Sequence, residues 1–272
     1  MARRRRVVLF AGLCGVACAS ALRRPTTLDD LARGLGAPAA VDRDDGGTRL
    51  AAGDAAFERR PEAEALLEAQ RHFIAAARVQ PARSEGLVGL IRVLAYRLDH
   101  EPDAATRQRL APLAVSAGQL CSARDPESAA CDYWLAIALG LQARERPSTG
   151  IDGVRRMVEL LKRAAERDAS IEEAGPERVL ALVYLRAPGW PAGPGDDEEG
   201  LRLAERAVAL RPEHPPNVLA LAEALRKNGR REEARAAYTR ARAMAALEAA
   251  EGHPDAPDWQ REAEQGLAGG ET

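Results

Sequence analysis

Two stretches of this chain repeat one another 34 residues apart. Gly200, Ala204 and Ala207 are matched by Ala234, Tyr238 and Ala241, and the first set runs on into Pro212. Between them lie Val218, Leu221, Ala222 and Leu225, at steps of three, four and seven, followed by Gly229. Such steps put the four side chains on one face of a helix, and a glycine directly after is a stop signal. Each period therefore encodes two antiparallel helices joined by a turn. A small residue falls where the two axes cross closest, and larger residues fill the holes beside it. One pair cannot bury its own apolar face, so neighbouring pairs must stack.

The same signature runs through the rest of the chain with longer connections. Ala69, Phe73, Ala76 and Pro81 reproduce the second-helix spacing, with Ala52, Gly53 and Phe57 in the helix before. Leu87, Leu90, Ile91 and Leu94 open a further pair that Ala114, Gly118, Cys121 and Pro126 complete. Trp134, Ile137, Ala138 and Leu141 open the next, closed by Met157, Leu161, Ala164 and Asp168. About five helix pairs are expected over residues 47–251. Composition agrees: with only 4% aromatic residues the core must be Ala, Leu and Val, which suit closely packed helices. The expected fold class is all-α.

The N-terminus reads differently. Arg3 to Arg6 precede an apolar run from Val7 to Ala17, about 16 Å long as a helix and too short for a hydrocarbon core of about 30 Å. Residues 1–19 are expected to be a signal peptide, and the mature chain to be exported. Residues 20–46, rich in Pro, Gly and Asp, read as a flexible tether with one short amphipathic piece at Leu28 to Leu35. Residues 252–272 read as a polar C-terminal tail in which Trp259 caps the last pair. Without the four leading arginines the chain carries 35 basic against 41 acidic residues. That balance argues against a nucleic-acid partner.

The spacing around Gly200 and Ala234 is that of the tetratricopeptide repeat, which implies a right-handed solenoid. Gly15-Val16-Ala17-Cys18 resembles a bacterial lipobox, which implies a lipid attached at Cys18 as the only membrane contact. Helix pairs behind such a leader resemble the T-component lipoproteins of tripartite ATP-independent periplasmic (TRAP) transporters. The residues that carry this likeness are the segment Asp132 to Gly140 and the Gly/Pro-rich loop before Asp196-Asp197-Glu198-Glu199-Gly200. It implies a periplasmic accessory that binds a small apolar molecule and meets a solute-binding protein. The repeat by itself implies a non-catalytic envelope protein presenting a groove to a protein partner.

Little points to catalysis or to a cofactor. There is no Gly-x-Ser-x-Gly, no His-Glu-x-x-His and no phosphate-binding loop, and His72, His100, His214 and His253 stand far apart. Cys121 and Cys131 flank a turn between pairs. A disulfide between them is favoured over two reduced, buried cysteines, and metal binding is not expected because no third ligand is spaced to complete a site.

Inward-pointing positions of the first helices give the candidate binding residues: Arg92 and Tyr96, Leu139 and Gln142, Tyr184, and Arg226. Leu135, Leu180, Leu219 and Glu223 lie on the same faces. A groove of this kind is apolar with a few polar handles, suited to a helix, an extended peptide or an elongated apolar molecule. The stretch LRAPGWPAGPGDDEEG, residues 185–200, is a five-residue insertion within the fourth pair, with Asp196 and Asp197 at the start of a helix. Trp190 is expected to pack on its own loop, the alternative being a lid over the groove near Tyr184. It is also the residue of this stretch to mutate for function.

Overall fold

The computed structural model describes residues 26–37, 45–147 and 150–269. The expected signal peptide and Cys18 lie outside the described residues. Those described form twelve helices: α1 (Leu28–Gly34), α2 (Gly46–Phe57), α3 (Ala63–Val79), α4 (Glu85–His100), α5 (Ala104–Arg124), α6 (Ala129–Glu145), α7 (Gly150–Asp168), α8 (Ile171–Arg186), α9 (Asp197–Leu210), α10 (Pro215–Lys227), α11 (Arg231–Ala250) and α12 (Ala256–Ala268). Helices α2 to α11 pack as five consecutive antiparallel pairs, and the first helix of each pair also touches the pair before it.

The repeat's small residues act as sockets. Phe73 of α3 is fully buried, with its ring over Gly53 of α2 and Gly89 of α4; a Cβ at either glycine would stand within 2.7 Å of the ring. Leu135 sits on Gly118, Tyr133 on Gly175 and Leu185 on Gly200 in the same way. Large side chains thus drop into pits on the neighbouring helix, and the axes approach closely. One continuous apolar core runs from α1 through α9 to Ala224 of α10, and a smaller one joins α10, α11 and α12 around Tyr238.

Residues 26–37 are not extended. Thr27 caps α1 in a reciprocal capping box with Asp30, and Leu28, Leu31 and Ala32 are buried where α1 packs on α5 and α3. The Gln70 amide donates to the Leu35 carbonyl at 3.3 Å. Within 252–272, α12 packs on α11 and α10, burying Ala256 and Ala263.

Two buried polar nodes lock the pairs in register. Asp132 of α6, 1% exposed, accepts from Arg163 Nε at 2.9 Å and Arg167 Nη1 at 2.8 Å, and also from Arg163 Nη2, all on α7. Asn217 of α10 is fully buried. It accepts from Arg178 at 2.8 Å, and its amide faces the carbonyls of Glu173, Arg211 and Ala207. The node steadies an unusual turn at the start of α8, where Glu172, Glu173 and Ala174 have φ of 47°, 56° and 65°. Left-handed backbone costs about 1–2 kcal/mol at each such non-glycine residue. Arg178 offsets this by donating to the carbonyls of Glu172 and Glu173.

Candidate functional site

The connection between α8 and α9, residues 187–196, is long beside residues 228–230 between α10 and α11. It is tied to itself and to α8. Gly195 N–H donates to the Pro188 carbonyl at 2.8 Å, Gly193 N–H to that of Gly189 at 3.1 Å, and Asp196 N–H to that of Tyr184 at 3.0 Å. A side chain at Gly195 would meet the Ala187 carbonyl at 2.2 Å, so only glycine fits there. Asp196 then caps α9, accepting from Glu199 N–H at 3.0 Å, with Asp197, Glu198 and Glu199 in the first turn.

This loop walls one side of a cleft of about 770 Å³ at the edge where α6 and α8 end. Val179, Leu182, Val183 and Arg186 line it from α8, Gly140 and Arg144 from α6, Val154 and Met157 from α7, and Pro188, Ala192, Gly193 and Pro194 from the loop. The lining is aliphatic apart from two guanidinium groups. Arg144 is paired with Asp99 at 2.7 Å and Glu145 at 3.1 Å; Arg186 is held by Glu223, its Nε 3.0 Å from Oε1. Burial alone would raise the Glu145 carboxyl's pKa, but hydrogen bonds from Arg107 and Arg144 outweigh it and hold the group below the usual carboxylate range. The two arginines are thus fixed by neighbours and border an apolar hollow.

Trp190 projects from the loop with 89% of its surface exposed. It neither packs on its own loop nor covers Tyr184, which corrects both expectations for it. The loop's internal hydrogen bonds, from Gly195 to Pro188 and from Ala192 and Gly193 to Gly189, close it around Pro188 rather than around the indole.

The residues expected to line one groove do not come together. Leu139 and Gln142 are half-buried on α6, with Leu139 against the core. Tyr184 is half-buried beside Lys162, whose Nζ is 6.0 Å from the ring, and does not line the cleft. Arg226 is exposed, 5.9 Å from the Tyr238 ring. Leu135, Leu180 and Leu219 are buried in the core. The cleft instead uses the adjacent stripe of α8, residues 179, 182, 183 and 186. Its three, four, seven spacing is visible in the sequence.

Arg92 and Tyr96 lie elsewhere, where the superhelix meets its own far end. Arg92 stands over the Phe57 ring at 4.9 Å and reaches Asp54 at 3.6 Å and Glu172 at 3.8 Å. Beside it, Arg60 is buried against Phe57 and donates twice to Asp255, at 3.0 and 2.8 Å, across 195 residues of sequence. His100 stacks on Tyr96 with ring centroids 3.9 Å apart and bonds Asp258 of α12 at 2.8 Å. Trp259 of α12 packs between His214 and His253. Burial, with Arg178 and His253 nearby, lowers the pKa of His214 to about 3.

Cys121 and Cys131 are joined by a disulfide linking the last turn of α5 to the first of α6. Among the described residues no group of three or more His, Cys, Asp or Glu is placed to hold a metal, and no helix is long and apolar enough to cross a membrane.

No family model matches the chain, and no curated protein matches it. Solved structures do. TTC0263, a thermophilic tetratricopeptide-repeat protein of Thermus thermophilus, superposes with a TM-score of 0.59 at 21% identity, over 82% of this chain and 99% of that one. The MamA protein aligns with a TM-score of 0.46 at 17% identity, over 76% and 95%. The likeness to TTC0263 concerns the fold, which is an all-α, tetratricopeptide-like solenoid of consecutive helix pairs.

Proposed function

We propose that this protein is a non-catalytic interaction protein of the bacterial envelope that grips an apolar segment of a protein partner. The observation that carries the proposal is the cleft bounded by α6, α7, α8 and residues 187–194, apolar in lining and bordered by two fixed arginines. Burying aliphatic surface there supplies affinity at roughly 25 cal/mol per Å². Trp190, exposed on the same loop, adds a large flat contact of the kind that dominates interface energetics. The leader with Cys18 supports export and a lipid anchor, and a disulfide between Cys121 and Cys131 accords with an oxidising compartment.

The test is capture of partners by the tagged full chain from an envelope fraction. Val183→Asp, which puts a charge in the cleft, and Trp190→Ala should each lose a partner that Arg242→Asp, on an exposed face of α11, retains. Equal recovery with all three variants would sink the proposal. For the anchor, Cys18→Ala should release the chain from the membrane fraction, and unchanged sedimentation would rule a lipid out.

A second reading has its own support. About 770 Å³ lies within the range of small-molecule pockets, roughly 300–1,000 Å³. In that reading the chain is an accessory of a TRAP-type transporter, holding a small apolar molecule and meeting a solute-binding protein. Native mass spectrometry of protein purified without detergent separates the two. A retained mass lost in Val183→Asp favours the accessory, and a bare chain favours the scaffold.

A further inference from the structure

We infer that His100 is a protonation-dependent latch that joins the early helix pairs to α12 and thereby closes the superhelix on itself. The geometry of the imidazole carries this. Its Nδ1 faces the Tyr96 carbonyl oxygen at 2.8 Å, and its Nε2 faces Asp258 Oδ2 at 2.8 Å. A carbonyl oxygen can only accept, and so can an ionised carboxylate. Both contacts are hydrogen bonds only when both ring nitrogens carry protons, so the closed arrangement needs the imidazolium. A neutral ring must give up one of them.

The surroundings favour the charged form. Burial would push the carboxyl of Asp258 up, but His100 and Arg261 outweigh it and keep it low, so it stays an acceptor. From α4 the latch faces Tyr96 and Asp99, the latter paired with Arg144 of α6. From the α12 side it faces Asp255, Asp258 and Arg261, and from the turn between α2 and α3 it faces Arg60. Burial alone would lower the pKa of His100. The bonds to Asp258 and Tyr96, with Asp99 nearby, prevail and raise it above its ordinary value.

The sign follows. A folded-state pKa raised above the unfolded one means that the stabilisation is complete below the ordinary histidine value and is lost as pH rises through the raised value. Among the described residues few other contacts join α12 to this end of the molecule. Arg60 donates to Asp255, while α12 itself rests on α10 and α11. Losing a charge-assisted hydrogen bond therefore shifts the balance between closed and open rings rather than unfolding a helix. Opening would bare the face that Arg92, Tyr96 and Arg60 share.

The experiment places nitroxide labels at Glu62→Cys and Gln265→Cys, both exposed, in the chain with Cys14→Ser and Cys18→Ser, and reads the distance distribution by pulsed electron spin resonance. At pH 6 one short distance is expected. At pH 9 a longer component should appear, with the open-to-closed ratio rising on the order of tenfold for one charge-assisted bond. His100→Gln should show the pH 9 distribution at both values, with unchanged circular dichroism. Identical distributions in the parent chain at pH 6 and 9 would overturn the inference. So would a pH response that survives in His100→Gln. Nitrogen NMR of His100 gives an independent check: both ring nitrogens protonated at pH 6 supports the latch, and a neutral ring there refutes it.

Discussion

The same substitution, Gly to Ala, should have opposite effects at Gly86 and Gly140. Gly140 lies inside α6, where alanine is intrinsically better than glycine by about 0.5–1 kcal/mol, and Gly86 lies in the first turn of α4, where that gain is at most as large. At Gly86 a Cβ would stand 2.7 Å from the Ala77 nitrogen, 2.9 Å from the Phe73 carbonyl oxygen and 3.0 Å from the Ala77 Cα. All three are backbone atoms of α3. They cannot rotate aside, so the axes of α3 and α4 must move apart, and Phe73 loses its fit over Gly89. Overpacking of this kind costs about 1–3 kcal/mol, which exceeds the propensity gain. Gly86→Ala should therefore destabilise by about 1–2 kcal/mol. At Gly140 the nearest atoms are the Cε and Sδ of Met157, both at 3.2 Å. They are the free end of a flexible side chain that borders the cleft and has room to turn. Gly140→Ala should be neutral or stabilising by up to about 1 kcal/mol. Urea unfolding followed by circular dichroism at 222 nm, with the disulfide intact, reads both as shifts of the midpoint at constant slope. If Gly86→Ala is as stable as the parent chain, or if the two variants lose stability equally, the close helix crossing derived from the repeat is wrong.

Asp132→Ala should cost about 2–4 kcal/mol in the same assay. It strips the buried acceptor from Arg163 and Arg167, whose partial exposure softens the usual penalty for orphaning a buried charge. Breaking the exposed Arg230 to Glu233 pair should leave the urea midpoint unchanged, because water screens both charges. Mass spectrometry of the mature chain before and after reduction should show the gain of two hydrogen atoms, one on each sulfur of Cys121 and Cys131, the electrons coming from the added reductant. Reduction should lower stability by about 2–3 kcal/mol, as closing a loop of this size implies. His214, with its pKa lowered to about 3, binds fewer protons folded than unfolded, so its contribution falls as pH drops from about 6.5 towards 3. Its ring resonances should not titrate between pH 8 and 5, and His214→Gln should flatten that part of the stability profile.

The pairing of helices was legible because it rests on local periodicity. Small residues at Gly53, Gly118 and Gly200 and the large Phe73 mark crossings without any long-range knowledge, whereas the groove-face spacing of Leu135 hides its seat on Gly118. Helix α1 was harder to read, since a composition of Pro, Gly and Asp around Leu28 to Leu35 hides the fact that Leu31 has a buried seat on α5 and α3. Closure of the ring was not legible. Arg60 and Asp255 meet only because a small rotation at each pair accumulates over the whole solenoid, and nothing in either residue's neighbourhood encodes it. The left-handed turn at Glu172 to Ala174 lacks the glycine that would announce it, being held by Arg178 and Asn217 from outside. On α8 the cleft-facing Val179 and Val183 stand one position before Leu180 and Tyr184, so a single residue separates the two stripes. Periodicity alone does not say which stripe is left uncovered.

The central functional claim is that the cleft between α6, α7, α8 and residues 187–194 meets a protein partner. The most direct measurement is site-specific photocrosslinking in living cells, with a photoreactive residue at Val183 in the cleft or at Arg242 on α11. One discrete crosslinked species is expected from position 183, abolished by Trp190→Ala, and none from position 242. Crosslinks of equal yield and pattern from both positions, or none from position 183, would contradict that claim.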